Sequence, residues 1–172
     1  GPTRAHPGRA PGAGGRVRDG HTAGDDAAPR KLLATPSRST FEQTEDRFFT
    51  WSPDDQWIAY ATGSGRAHDR ILRKNIVTSS AAETLVSGGT DLLANDWSRD
   101  GRFLLFADAG TSTSWDLWTL DLQAKDAKPV PYLQTPAGER DGAFSPDGRW
   151  IAYVSDESGG QEVYVRSFPP GR

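Results

Sequence analysis

Three short segments of the chain are apolar without interruption: Trp57-Ile-Ala-Tyr-Ala61, Phe103-Leu-Leu-Phe-Ala107 and Trp150-Ile-Ala-Tyr-Val154. Five residues are too few for a helix, and the aromatic and β-branched side chains favour extended backbone. Each segment therefore predicts a β-strand buried on both faces. A turn stands ahead of each: Ser52-Pro-Asp-Asp55, Ser98-Arg-Asp-Gly101 and Ser145-Pro-Asp-Gly148. Pro146 presets φ for a type I turn, Gly148 accepts a positive φ, and the Asp between them can hold nearby backbone amides. A polar, glycine-containing loop follows, as over residues 155–161, and then a further strand opened by Asp69, Asp116 or Glu162. Residues 129–134 predict a fourth strand, which Pro129 and Pro131 confine to a sheet edge.

These elements recur in step. The aromatics Trp51, Trp97 and Phe144, which open the three turns, stand 46 and 47 residues apart. Two elements held in register over three copies define an internal repeat. Four short antiparallel strands per repeat, with the second strand apolar on both faces, predict the blade of a β-propeller. Blades stack face to face, which accounts for that second strand. A β-sandwich would alternate inside and outside positions without such a period. The expected fold is all-β: about three four-stranded antiparallel blades, a partial β-propeller. Since propellers close with roughly 4–8 blades, the three copies predict an incomplete ring.

Composition changes near residue 40. Residues 1–40 hold seven Gly, five Pro and no aromatic residue, and seven Arg/Lys against three Asp leave them at +4. Such a segment buries too little apolar surface to offset an ordering entropy of roughly 1–2 kcal/mol per residue, and predicts a disordered arm. Its arginines are scattered singly, which argues against a basic arm for nucleic acid or anionic lipid. All seventeen aromatic residues lie in residues 41–172, the expected propeller fragment, which carries −7 of the net −3. That balance predicts no nucleic-acid partner. The chain has no Cys, which excludes disulfides and thiolate chemistry, and no apolar run near the roughly 20 residues a bilayer requires. It has no Met either, even at position 1, and so predicts a processed or partial product.

The copies resemble the TolB-like, WD-repeat-like propeller repeat, in which an aromatic precedes Ser-Pro-Asp-Gly, a polar residue and an apolar strand. Residues 144–154 match throughout; Arg99 stands where Pro is usual and Asp55 where Gly is usual. Asn95-Asp-Trp-Ser-Arg-Asp-Gly-Arg-Phe-Leu-Leu-Phe106 with Trp115-Asp-Leu-Trp118 is similar to the propeller region of bacterial serine/threonine protein kinases. So are Leu133-Gln-Thr-Pro136 and Glu162-Val-Tyr-Val-Arg-Ser-Phe-Pro169. That resemblance implies a sensory or scaffolding module outside the cytoplasm. No kinase motif is present in the chain itself.

Candidate chemistry is sparse. His6 and His21 fall in the arm; His68, beside Asp69, is expected to be an exposed loop histidine, with no Gly-x-Ser-x-Gly elbow for a triad and no second ligand for zinc. Gly63-Ser-Gly-Arg66 and Ser158-Gly-Gly160 lead into strands rather than helices and predict hairpin turns, not phosphate cradles. Asp54, Asp55, Asp100 and Asp147 recur with the repeat, and recurrence points to structure because catalysis needs an asymmetric site. Asp69, Asp116 and Glu162 are expected to satisfy backbone donors or face a neighbouring blade; a channel cation held by such carboxylates is the sharper alternative. Trp118 is expected between blades, and Trp115 is either packed between blades or a surface aromatic of a binding face. The expectation is no catalytic, cofactor or metal site. Three functions remain: a binding or sensory module whose partner is a protein, peptide or small ligand, the access-restricting propeller of a prolyl-oligopeptidase-type serine peptidase, or a truncated reading frame without function. The fold does not separate them.

Overall fold

In the computed structural model, residues 38–171 are described apart from 42, 65, 66, 79, 89 and 111–113. His6, His21 and all but the last residues of the expected arm lie outside that range. The described residues form eleven strands and no helix: β1 (Glu45–Trp51), β2 (Trp57–Gly63), β3 (Arg70–Asn75), β4 (Glu83–Ser87), β5 (Leu92–Trp97), β6 (Phe103–Asp108), β7 (Asp116–Asp121), β8 (Val130–Leu133), β9 (Glu139–Phe144), β10 (Trp150–Ser155) and β11 (Glu162–Ser167).

They make three antiparallel sheets in chain order, β1-β2-β3-β4, β5-β6-β7-β8 and β9-β10-β11. The first strands lie beside one another, β1 by β5 and β5 by β9, so they form the inner edge of an arc. Among the described residues the arc does not close. It is the open β-propeller that the repeat predicts, with the blade boundaries placed one strand earlier than the repeated aromatic. Trp51, Trp97 and Phe144 end the inner strands.

Ser-x-Asp turns join inner to second strands by the same bonds three times. The Ser52, Ser98 and Ser145 hydroxyls donate to Asp54, Asp100 and Asp147 at 2.5, 2.6 and 2.6 Å. The same hydroxyls accept the amides of Trp57, Phe103 and Trp150. Each Asp also accepts the amide two residues on, from Gln56, Arg102 and Arg149. Asp55 does not share the role of the other three. It takes the place of Gly101 and Gly148, at φ 58° against 74° and 69°.

Two cores hold the sheets together. Ala59, Ala61 and Ile71 of sheet 1 meet Leu104, Phe106 and Leu120 of sheet 2, with Trp118 packed against them. Leu105, Ala107 and Leu117, from the opposite face of sheet 2, meet Ile151, Tyr153 and Phe168. β6 is thus buried on both faces, as its apolar run requires. β10 is buried on one face only, because no described sheet covers the other.

An expectation about β3 is corrected by register. Thr62 pairs with Arg70, as Asp108 pairs with Asp116 and Ser155 with Glu162. Asp69 therefore precedes its strand, while Asp116 and Glu162 open theirs.

Candidate functional site

The two ends of the arc differ in kind. The Ser-x-Asp turns line one end, and clefts of about 510 and 480 Å³ lie between neighbouring turns there. The turn residues lining both clefts are the repeat's own structural set: Ser52, Pro53 and Asp54 with Asp100 in one, Ser98 and Asp100 with Pro146 and Asp147 in the other. The opposite end carries the connections β2–β3, β6–β7 and β10–β11 together with the links between sheets. Its side chains do not recur, and it is the asymmetric surface of the arc.

His68 sits at this loop end, and it is not exposed. It is 4% accessible. Its Nδ1 lies 2.9 Å from Asp91 Oδ1, and the same oxygen accepts its backbone N–H at 3.0 Å. Its carbonyl accepts the Leu92 amide, and the ring of Phe48 stands edge-on at 5.6 Å. The Nε2 atom is buried with no partner among the described residues. Gly63 makes the enclosure possible: a Cβ there would come within 2.1 Å of the Ala67 carbonyl oxygen. Sequence reasoning misses this because Asp91 lies 23 residues on, at the entrance to the next sheet.

Between sheets 2 and 3 the loop end holds two buried carboxyls. Gln134 Nε2 donates to Asp116 Oδ2 at 3.2 Å. Glu139, fully buried, accepts the Thr135 hydroxyl at Oε1, and its Oε2 has no partner among the described residues. Burial raises the Glu139 carboxyl pKa above its ordinary value, and the nearby charges of Asp116 and Glu157 push it the same way, against the Thr135 bond. Glu139 is not conspicuous in the sequence. The signal is its alignment with Leu92, an apolar residue at the same point of the previous repeat. Asp116 thus faces a neighbouring blade, as expected of it. Further inward, Asp96 Oδ2 accepts the Phe144 amide of sheet 3 at 2.8 Å, a link the sequence also conceals.

Trp115 takes the packed position between sheets that is one of its two expected placements, and its edge reaches the surface. It is half-buried against the core between sheets 2 and 3. It also lines a groove of about 280 Å³ with Ser114, Gly138, Arg140, Val154, Asp156 and Gln161. That groove pairs an aromatic face with a guanidinium and a carboxylate, and Asp156 is already engaged by the Gly138 amide at 2.9 Å. The 158–160 loop joins two strands as a hairpin turn, with Gly159 at φ 94°. Among the described residues no three His, Asp or Glu side chains gather at metal-binding distance.

No family model matches this sequence, and no curated protein matches it. Solved structures do. A TolB from Agrobacterium tumefaciens superimposes with a TM-score of 0.63 at 19% identity, covering 74% of this chain and 47% of that one. TolB from Acinetobacter baumannii gives 0.62 at 21% identity, over 81% of this chain and 34% of that one. Prolyl oligopeptidase B from Galerina marginata gives 0.52 at 10% identity, over 69% of this chain and 18% of that one. The fold is that of a TolB-like β-propeller. The chain spans less than half the length of either TolB.

Proposed function

We propose that the chain is a non-catalytic binding module that presents the loop end of its arc to a protein, peptide or small ligand. The observation that supports this is the Trp115–Arg140–Asp156 groove on the one end of the arc whose residues do not repeat. An aromatic face beside a fixed charge is the usual composition of a recognition hot spot. The pattern of Asn95 to Phe106 with Trp115 to Trp118 favours the sensory part of a bacterial serine/threonine protein kinase as the parent protein.

The test is selection of a displayed random-peptide library on the immobilised full chain, with a Trp115→Ala/Arg140→Ala counter-screen. Enriched peptides should lose at least tenfold in affinity on the double variant. Peptides that bind both forms equally would place recognition elsewhere. The non-catalytic part is tested with an activated ester, a proline-containing fluorogenic peptide and ATP. No turnover above buffer is expected, and turnover abolished by His68→Ala would overturn the proposal.

A second reading draws on the likeness to prolyl oligopeptidase B, whose structure this chain matches over 18% of that protein's length. In that reading the arc restricts access to a serine peptidase. The neighbouring coding sequence distinguishes the two. An upstream kinase domain followed by a membrane span supports the first; a downstream Gly-x-Ser-x-Gly with later Asp and His supports the second.

A further inference from the structure

The groove at the loop end between sheets 2 and 3 holds two opposite charges that do not neutralise each other. Arg140 and Asp156 both line it. Among the described residues, the carboxylate within 4 Å of the Arg140 guanidinium is that of Asp141, at 3.8 Å from Nε, and no hydrogen bond engages the guanidinium there. Asp156 Oδ1 accepts the Gly138 amide at 2.9 Å, and its Oδ2 has no partner among the described residues.

Both charges are held in place. Arg140 stands opposite Val154 across the β9–β10 pairing. The Gly138 bond ties Asp156 to the connection between β8 and β9, and a Cβ on Gly138 would come within 2.8 Å of the Ser114 hydroxyl. Trp115, packed against the core between sheets 2 and 3, supplies an apolar wall. The repeat separates this set from the scaffold. One repeat earlier, Arg140 aligns with Leu93, Asp156 with Ala109 and, by strand register, Trp115 with Asp69. The junction of sheets 1 and 2 stacks without any of the three, so stacking does not require them.

Size narrows the ligand. At about 280 Å³ the groove is smaller than the roughly 300–1,000 Å³ of pockets for drug-sized molecules. It has room for about one residue. An open cation and a half-used carboxylate in so small a space match a zwitterion.

We infer that the groove takes a free α-amino acid with an apolar side chain. Its carboxylate meets Arg140, its ammonium meets Asp156 Oδ2, and its side chain lies against Trp115 and Val154. The inference rests on the reading of the groove as a binding site and names the ligand of that site. Charge-assisted hydrogen bonds are the strong ones, and a guanidinium matches a carboxylate bidentately. A peptide end offers only one of the two charges, so the amino acid displaces peptides selected on the groove.

The test is isothermal titration calorimetry of the full chain with each of the protein L-amino acids. At least one apolar amino acid should bind with a Kd below about 1 mM. Its carboxamide and its N-acetyl form each lack one charge, and each should bind at least tenfold more weakly. In Arg140→Gln the acid should lose its advantage over the carboxamide. In Asp156→Asn, which keeps an acceptor for the Gly138 amide, the free amine should lose its advantage over the N-acetyl form. Should either variant fail to fold, the two blocked forms on the wild-type chain decide the matter. No binding of any amino acid at about 10 mM, or blocked forms that bind as well as the free one, would overturn the inference. Library peptides that depend on Trp115 and Arg140 yet resist displacement by every amino acid would overturn it while leaving the groove a binding site. Absence of both peptide and amino-acid binding would remove that role as well.

Discussion

Asp147 and Glu139 are two carboxyls with opposite demands on pH. At Asp147 the Ser145 hydroxyl, the Arg149 amide and the Arg149 guanidinium hold the folded-state pKa down to about 2. A lowered pKa adds stability above the unfolded value and loses it as pH falls through the folded one. Asp54 and Asp100 are lowered by the corresponding Ser and amide bonds, so all three turns should weaken as pH falls below about 4, the Asp147 turn down to about pH 2. The urea midpoint should fall across that window, and less so in Asp147→Asn. Glu139 runs the other way. Its raised pKa means stability is fully present below the unfolded value and is lost as pH rises through the folded one. Glu139→Gln, which keeps an acceptor for Thr135, should therefore raise the urea midpoint at pH 8 and lose that advantage near pH 4. An unchanged midpoint at pH 8 would show that the site is better solvated than its geometry indicates. Asp55 carries a backbone cost instead, a left-handed φ that Gly bears freely. Asp55→Gly should stabilise by about 1 kcal/mol in equilibrium unfolding. Ser98, buried and bonded both to Asp100 and to the Phe103 amide, should cost about 1–2 kcal/mol as Ala.

Elements differ in how openly the sequence declares them. β2, β6 and β10 are legible because an apolar run between a Ser-x-Asp turn and a polar loop has one structural solution. β8 is legible through its prolines, and it takes the outer edge of sheet 2 as they require. The inner strands are harder to see. β9 reads Glu-Arg-Asp-Gly-Ala-Phe, a composition with little strand propensity of its own. It is held by pairing with β10, by the Asp96–Phe144 amide bond, and by packing on Leu105, against which a Cβ at Gly142 would stand at 2.7 Å. All three inner strands carry a bulge, and it re-aims side chains near the axis. Register also hides from the sequence, since one residue in the β2–β3 connection decides that Arg70 rather than Asp69 opens β3. The candidate site is less legible than the strands because its neighbours are far apart in the sequence: His68 with Asp91, Glu139 with Asp116, and Trp115 with Arg140 in one groove. β6 is the element on which the others rest. Leu105→Ala, fully buried between sheets 2 and 3, should cost 2–5 kcal/mol by equilibrium denaturation.

On the scale of the whole molecule, the repeat is a rule for stacking, and sheet 2 is its completed case, covered on both faces by its neighbours in the chain. Stacked arrays end in polar capping repeats when they end at all. The outward face of sheet 3 is not polar: Trp150, Val163 and Val165 stand exposed on it. The claim beneath every part of this account is that the three sheets stack in chain order through the two cores described. Phe168 reports on it best, with ring centroids 5.1 Å from Phe103, 5.1 Å from Phe144 and 5.9 Å from Tyr132. Phe103 and Tyr132 belong to sheet 2, whereas Phe144 belongs to sheet 3. A side-chain NOESY spectrum of the full chain should contain cross-peaks from the Phe168 ring to Phe103 and Tyr132, and from Phe106 to Ala61 or Ile71. Cross-peaks confined within single sheets, with none joining Phe168 to Phe103, would contradict the stacked arc.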